Sequence, residues 1–170
     1  MNLEDIKYFA IACHESINQK YHDKNYAFHL YMVVNIAENF IRLIQKEDRD
    51  EVIAGCWVHD VIEDTGKTYN DVKKATNETI AEYAYALTNE KGRTRKDRAN
   101  ERYYKGIREY KHATFIKLCD RYANMKYSKE SKSHMFDTYV KEMNDFKKYL
   151  YDERYQELWN ELEKLTIWNE

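Results

Sequence analysis

The chain contains no proline and only four glycines among its 170 residues. Proline disrupts a helix interior because it lacks a backbone N–H and clashes with the preceding turn, and glycine weakens it through backbone entropy. A sequence so poor in both favours helices joined by short connections. It shows no convincing strand-like alternation, no internal repeat and no linker, and its length suits one domain. The pattern predicts an all-α fold, a single bundle of about seven or eight helices.

Apolar residues recur at helical spacing in several segments. Residues 3–20 form the first predicted helix, and residues 32–44 carry the wide apolar stripe of the second. A third helix is predicted over residues 48–63, and because it is apolar nearly all round from Val52 to Ile62 it belongs at the centre of the fold. Two shorter helices follow, with Thr68 and Asn77 as their N-caps.

The second half of the chain ends in two amphipathic helices. The stretch "HATFIKLCDRYANMKYS" returns to apolar character after a highly charged region and is predicted to be buried. Residues 130–170 form a helical extension that we expect to pack on the rest of one domain spanning residues 1–170. The aromatic residues of this extension would be exposed to solvent unless they pack against the rest of the chain or against a second copy. A homo-oligomer therefore stays a possible assembly.

Charge and cysteine content exclude several classes of protein. The net charge is −2 and the pI about 6.3, which argues against a dedicated nucleic-acid binder. Cys13, Cys56 and Cys119 are widely spaced and form no CxxC pair, so we expect no disulfide framework and a reducing, cytoplasmic setting. No signal peptide is evident, and no apolar run approaches the roughly 18 residues of a membrane span.

The stretch "VHDVIEDT" concentrates side chains capable of metal and proton chemistry. On a helix, His59 lies one turn from Glu63, and Asp60 one turn from Asp64, so the two pairs occupy adjoining faces. An imidazole beside a carboxylate is a common ligand pair for a divalent transition metal. Carboxylates one turn away are suited to hold a water molecule and accept its proton.

Two adjacent ligands do not fill a coordination sphere, and His29 and Asp120 are the candidates for the others. His29 lies at the start of the second helix, and Asp120 follows an apolar run, where an unpaired charge is costly to bury. With His59 and Asp60 they supply two nitrogens and two oxygens, which suits manganese or iron and accommodates zinc. Taken singly, such a histidine is also typical of a structural core residue, and such an aspartate of an ion pair.

Two longer motifs carry a family resemblance. "HDVIEDT" and "IKLCDRYANMK" resemble the HDxxEDT and KLxDRxxNM signatures of the RelA/SpoT-type hydrolase domain and its small stand-alone alarmone hydrolases. These proteins form a branch of the HD-domain metal-dependent phosphohydrolases. "GKTYNDV" also resembles the branch's usual continuation after EDT. The resemblance covers roughly residues 5–130, and the two motifs in this order are far more specific than the His-Asp pair alone.

The resemblance implies an all-helical HD fold and a set of roles. One manganese ion is held by four side chains, those of His29, His59, Asp60 and Asp120. Glu63 and Asp64 position and activate the attacking water, and Asn124, one turn after the last ligand, faces the nucleotide. Lys117 and Arg121 flank that ligand, and Arg121 braces the site through an ion pair. The implied reaction is hydrolysis of guanosine 3′,5′-bis(diphosphate), ppGpp, with release of its 3′-pyrophosphate.

One segment departs from the family pattern and keeps other substrates open. The long alarmone hydrolases carry a basic HxGQxRKSGEPYxxHP segment that holds the guanine base and ribose. Here it is contracted to "HDKNYAFHL", which retains Lys24 as a candidate substrate contact but has no RKSG. The alternatives are an HD-family nucleotidase or phosphodiesterase acting on another nucleotide, or a non-catalytic nucleotide sensor. The intact Glu63–Asp64 pair argues against the sensor.

The stretch "KGRTRKDRANER" places six positive charges within twelve residues. One interpretation is a solvated helix face. The other is a phosphate clamp near the metal, because arginine forks match phosphate oxygens. Arg95 and Arg98 are the members predicted to contact substrate. Binding of RNA through the same stretch is disfavoured by the acidic overall balance.

Overall fold

The computed structural model describes residues 2–167, and within that range the chain is almost entirely helical. An antiparallel hairpin pairs β1 (Lys20–Tyr21) with β2 (Lys24–Asn25). Short 3-10 helices cover Ile41–Leu43, Lys46–Asp48 and Glu153–Tyr155. The helices α1 to α11 span, in order, Leu3–Ser16, Ala27–Phe40, Arg49–Val58, Val61–Thr65, Tyr69–Ala75, Glu78–Leu87, Arg95–Arg98, Glu101–Glu109, Ala113–Glu130, Met135–Leu150 and Gln156–Leu165. The predicted all-α class is confirmed, with more helices in the described residues than the seven or eight expected.

The predicted third helix is divided in the structure, which accounts for part of that difference. A 3-10 turn precedes α3, and a turn at His59 and Asp60 separates α3 from α4. At this turn the His59 Nδ1–H donates to the carbonyl of Cys56 over 2.8 Å. In a continuous α-helix, the Cys56 carbonyl would instead accept a hydrogen bond from the backbone N–H of Asp60, four residues later. The interruption therefore falls at the His-Asp pair.

The first helix is shorter than predicted because a hairpin follows it. Helix α1 ends at Ser16 rather than near residue 20. Asn18 then adopts φ 52°, in the left-handed region that asparagine enters more readily than most residues. The hairpin strands are two residues long, too short for alternation to reveal them in the sequence. The hairpin leads directly into α2 and places its side chains beside His29.

Helix α3 is the centre of the fold, as its apolar character predicts. Every residue from Val52 to Val58 is buried, and α3 packs against α1, α2, α6 and α9. Gly55 of α3 lies against α6 and α9. A Cβ atom there would come within 2.6 Å of Ile116 Cδ1 and 2.9 Å of Tyr83 Cδ2. The lack of a side chain therefore lets α3 sit deep between its neighbours.

The C-terminal helices α10 and α11 both pack against α9. Tyr155 and Trp159 are buried, and the Trp159 ring lies 5.6 Å from that of Phe146. Tyr149 stacks on Tyr104 with a 5.0 Å separation between ring centroids, whereas Tyr151 stays exposed. The chain itself thus covers most of the aromatic residues of the extension. Residues 168–170 of the predicted extension lie outside the described residues.

Two expectations drawn from composition can be compared with the structure. Cys13, Cys56 and Cys119 are all buried free thiols, which agrees with the absence of a disulfide framework. Over residues 2–167, none of the helices combines the length and apolar character that crossing a membrane requires.

Candidate active site

The four predicted metal ligands meet at one point inside the bundle. His29 comes from α2, His59 and Asp60 from the turn between α3 and α4, and Asp120 from α9. The two histidine Nε2 atoms lie 3.3 Å apart. Asp60 Oδ2 lies 2.8 Å from His59 Nε2 and 3.6 Å from His29 Nε2. Asp120 Oδ1 lies 3.3 Å from His29 Nε2 and 3.7 Å from His59 Nε2.

The cluster is buried and its charges are strongly coupled. Both histidines are about 1 % exposed. Burial lowers the pKa of His59, but the carboxylates of Asp60 and Asp120 outweigh it and raise that pKa to about 10. Burial raises the pKa of Asp60, yet His59 and His29 hold it well below its usual range. Asp120 is held low in the same way, with Lys117 as the main cause. The cluster therefore presents two carboxylates that attract a cation.

The donor set fits a divalent transition metal. The His59 Nδ1–H donates to the Cys56 carbonyl, so Nε2 is the ring nitrogen directed at the cluster and available to a metal ion in place of a proton. His29, His59 and Asp120 each offer a ligand atom within 4.8 Å of the others. With Asp60 they form a set of two nitrogens and two oxygens, and burial of this set is readily explained by a shared cation.

Two tyrosines that sequence reasoning did not single out contact side chains of this cluster. The Tyr26 hydroxyl donates a hydrogen bond to Asp60 Oδ2. The Tyr21 ring stacks on His29, with ring centroids 4.9 Å apart and planes 15° from parallel. Both tyrosines lie in or next to the hairpin, in the segment that precedes His29. With 16 tyrosines in the chain, the residue type alone gave no signal.

Asp120 is held by residues of its own helix. Asn124 Nδ2 donates to Asp120 Oδ1 over 2.6 Å, and Lys117 Nζ donates to Asp120 Oδ2 over 2.8 Å. Asn124 Oδ1 in turn accepts a 2.9 Å bond from the Tyr21 hydroxyl. Asn124 lines the cavity at the cluster, and both polar atoms of its amide are engaged by protein partners.

Glu63 and Asp64 face the same cavity and are held by amides from different parts of the chain. Glu63 accepts two bonds from Asn89, 2.9 Å from the backbone N–H and 2.8 Å from Nδ2. Asp64 Oδ2 accepts a 2.8 Å bond from Gln19 Nε2. Partial desolvation by the surrounding protein raises the pKa of both acids, and the amide bonds oppose that rise. Sequence reasoning missed both amides.

The cavity, with a volume of about 240 Å³, is lined by both acids and cations. The acids are the cluster carboxylates of Asp60 and Asp120 together with Glu63, Asp64 and Glu142. The cations that line it are Arg95, Arg98, Lys117 and Arg121. Such a cavity can hold a metal ion, a water molecule and an anionic phosphoryl group side by side.

The two predicted phosphate contacts differ in their partners. Arg95 Nε donates to Glu142 Oε1 over 2.6 Å, and its Nη2 lies 3.3 Å from Glu142 Oε2. Arg98 is exposed at the cavity, and no ion pair involves its side chain within residues 2–167. Lys24 lies on β2 outside the cavity lining, with its Nζ 5.3 Å from the ring centroid of Phe28.

Arg121 is paired as the sequence predicted. It is about 6 % exposed, and its Nη1 donates to Glu142 Oε2 over 2.8 Å. The guanidinium also lies 4.8 Å from the ring centroid of Tyr139 and 4.4 Å from that of Phe146. Burial raises the pKa of Glu142, but Arg95 and Arg121 outweigh it and hold that pKa low. Since Glu142 and Tyr139 belong to α10, the C-terminal extension forms one wall of the cavity.

Replacing Glu142 with alanine is expected to destabilise the fold by about 1–3 kcal/mol, because it leaves the buried Arg121 cation without its carboxylate. Urea unfolding measures this change. The matched control is Glu161→Ala, which breaks the surface ion pair with Lys164 on another C-terminal helix. That variant should lose at most about 0.5 kcal/mol. Equal losses in the two variants would show that Arg121 does not depend on Glu142.

Comparison with known proteins supports the fold. No protein-family model and no curated protein sequence matches the chain. Its helical bundle, however, has the same overall fold as a solved structure. The solved structure that shows this is of a metazoan ortholog of SpoT that hydrolyzes ppGpp and plays a role in starvation responses. The TM-score is 0.73 at 19% sequence identity, over 95% of this chain and 93% of that chain.

Proposed function

We propose that the chain is a divalent-metal-dependent phosphohydrolase that removes the 3′-pyrophosphate from ppGpp. The observation that carries this proposal is the convergence of His29, His59, Asp60 and Asp120 in one buried cluster. Two further acids face the cavity that opens on this cluster. The fold shared with a metazoan protein that hydrolyzes ppGpp supports the choice of substrate.

The four clustered side chains would hold the metal ion. We propose manganese, with iron and zinc as alternatives, because two imidazole nitrogens and two carboxylate oxygens suit these ions better than magnesium. When bound, such an ion supplies Lewis-acid polarisation of a phosphoryl oxygen and lowers the pKa of a water ligand. Tyr26 and Asn124 keep the carboxylates of Asp60 and Asp120 oriented for this role.

Glu63 and Asp64 are proposed to hold the attacking water and accept its proton. Both are oriented by amide donors, so their carboxylates face the cavity in fixed directions. Their raised pKa values make them stronger bases than exposed carboxylates. Because their surroundings differ, one can take the proton while the other stays charged.

The cations of the cavity would bind the phosphate groups. Arg98 is the stronger candidate, since no other side chain in the described part of the chain pairs with it. Arg95 would also bind phosphate, although its guanidinium already donates a hydrogen bond to Glu142. The roles suggested for Asn124 and Lys24 stay predictions: Asn124 lines the cavity, whereas Lys24 would reach the nucleotide only from the hairpin at its edge.

We further propose that residues 1–170 form one HD phosphohydrolase domain, with residues 130–170 an integral part of the site. The support is that α10 supplies Glu142 and Tyr139 to the cavity wall. A small nucleotide is the proposed partner, in the cytoplasm, and three buried free thiols are compatible with that reducing compartment.

A second candidate function is a nucleotidase or phosphodiesterase acting on another nucleotide. The observation that favours it is the contracted segment before His29, where Lys24 lies outside the cavity lining and tyrosines take the positions nearest the metal ligands. A catalytic role is shared by both candidates, because Glu63 and Asp64 are oriented at the cavity in either case.

The test is pyrophosphate release from ppGpp by the manganese-loaded protein, measured beside nucleoside 5′-monophosphates and cyclic nucleotides. We expect turnover of ppGpp at on the order of 1–10 per second and little or none of the others. Turnover of another nucleotide instead would replace the proposed substrate and keep the chemistry. Nucleotide binding without any turnover would contradict the enzymatic proposal and favour a sensor.

A further inference from the structure

Asn89 lies at the end of α6 and contacts both oxygens of Glu63. Its backbone N–H donates to Oε2 over 2.9 Å and its side-chain Nδ2 to Oε1 over 2.8 Å. Asn89 itself lines the active-site cavity and lies between Asp60 and Asp120 in sequence. One residue therefore donates a hydrogen bond to each oxygen of the Glu63 carboxylate.

The backbone around Asn89 is anchored on both sides. Before it, the Thr88 N–H bonds the carbonyl of Tyr85, and the Thr88 hydroxyl bonds that of Ala84, which ties the residue to the end of α6. After it, the N–H of Glu90 donates to the carbonyl of Arg98 over 3.1 Å and closes the segment onto α7. Asn89 is thus held by the fold, and Glu63 is held by Asn89.

We propose that Asn89 is a positioning residue that keeps the Glu63 carboxylate in one orientation at the cavity. This inference rests on the proposed function, in which Glu63 accepts a proton from the attacking water. The terminal torsion of a glutamate is broad and shallow, so an unbound carboxylate samples many orientations. Two donors on two oxygens fix the plane of the carboxylate and leave further lone pairs for a water molecule.

The groups around Glu63 act on its ionisation in opposite directions, so the hydrogen bonds from Asn89 affect its pKa. Partial desolvation and Asp60 both disfavour the charged form of Glu63, whereas the bonds from Asn89 and the charge of Lys117 favour it. Tyr103 also lines this cavity. Removing the Asn89 amide takes away a donor to the charged form, so the pKa of Glu63 must rise.

Asp64 provides a comparison within the same site, because it accepts a hydrogen bond from Gln19, which lies on a different segment from Asn89. The two adjacent acids are thus oriented by two amides that can be altered separately. Asn89→Ala removes the side-chain donor and keeps the backbone donor. Asn89→Asp replaces the donor with a like charge. Gln19→Ala removes the equivalent amide from Asp64 and leaves both Asn89 bonds intact.

The first measurement needs no substrate. The Glu63 carboxyl carbon is followed by ¹³C NMR titration in the zinc-loaded protein, with its signal assigned by its absence in Glu63→Gln. We expect the pKa of Glu63 to be higher in Asn89→Ala than in the parent and higher again in Asn89→Asp, with metal content unchanged. An unchanged pKa in both variants, or an equal rise in Gln19→Ala, overturns the proposal.

The second measurement is kinetic and is made on the manganese-loaded protein. In Asn89→Ala, kcat should fall on the order of tenfold with KM within about twofold, and the acid limb should move to higher pH. In a Glu63→Gln background the same substitution should cause no further loss. A full additional loss there overturns the proposal, since Asn89 would then act independently of Glu63. If the parent hydrolyses no nucleotide, the proposed function fails, and the titration still decides the role of Asn89.

Discussion

Replacing Asp120 with alanine is expected to abolish both metal binding and nucleotide hydrolysis. Asp120 supplies the oxygen that lies between the two histidines, 3.3 Å and 3.7 Å from their Nε2 atoms. Losing an outer partner of a metal ligand costs roughly 10–100-fold in affinity, so losing a ligand should cost more. Metal content after dialysis and pyrophosphate release from ppGpp are the two measurements.

The matched control is Asp48→Ala. Asp48 has a similar set of partners, since it accepts a 2.9 Å bond from the buried His112 and a 2.6 Å bond from Lys111, but it lies outside the cavity lining. The two substitutions therefore remove the same kinds of interaction from the fold. Only Asp120→Ala should lose metal. Retained metal and activity in Asp120→Ala contradict the ligand assignment, and equal metal loss in both variants would attribute the effect to general destabilisation.

The all-α fold could be predicted because its determinants are local. The lack of proline, the scarcity of glycine and the apolar periodicity act within each segment, so helix α3 was correctly placed at the centre of the fold. The interruption at His59 could not be predicted, because it depends on where a side chain finds its hydrogen-bond acceptor. The hairpin before α2 escaped notice because a two-residue strand has no period.

Unlike the helices, the candidate metal ligands could not be predicted from local pattern, since His29, His59 and Asp120 are separated by some 30 to 60 residues of chain. From spacing alone, each of these residues could equally be a buried structural histidine or an ion-paired aspartate. The occurrence of the two family motifs in order is what identified them as candidate metal ligands. The partners that orient the site had no such signal. Gln19 bonds an acid 45 positions away, and Glu142 engages an arginine 47 positions before it. Such contacts follow from tertiary packing, and neither residue type is distinctive.

Replacing Glu63 with glutamine is expected to leave the metal bound and to lower the hydrolysis rate by on the order of 10²–10⁴-fold. Glutamine has nearly the same size but cannot accept the proton of the attacking water. In the parent, partial desolvation raises the pKa of Glu63, so the rate should fall with decreasing pH at a higher pH than for an exposed glutamate. The variant should lose this acid limb. Metal analysis and the pH dependence of pyrophosphate release are the measurements.

Glu90→Gln is the matched control, because Glu90 is a nearby carboxylate that pairs with Arg102 and lies outside the lining of the active-site cavity. Its rate should stay within about twofold of the parent. If Glu63→Gln hydrolyses ppGpp as fast as the parent, Glu63 does not accept the proton. Asp64, oriented by Gln19 at the same cavity, would then be the base, and Asp64→Asn should show the loss of rate and of the acid limb instead.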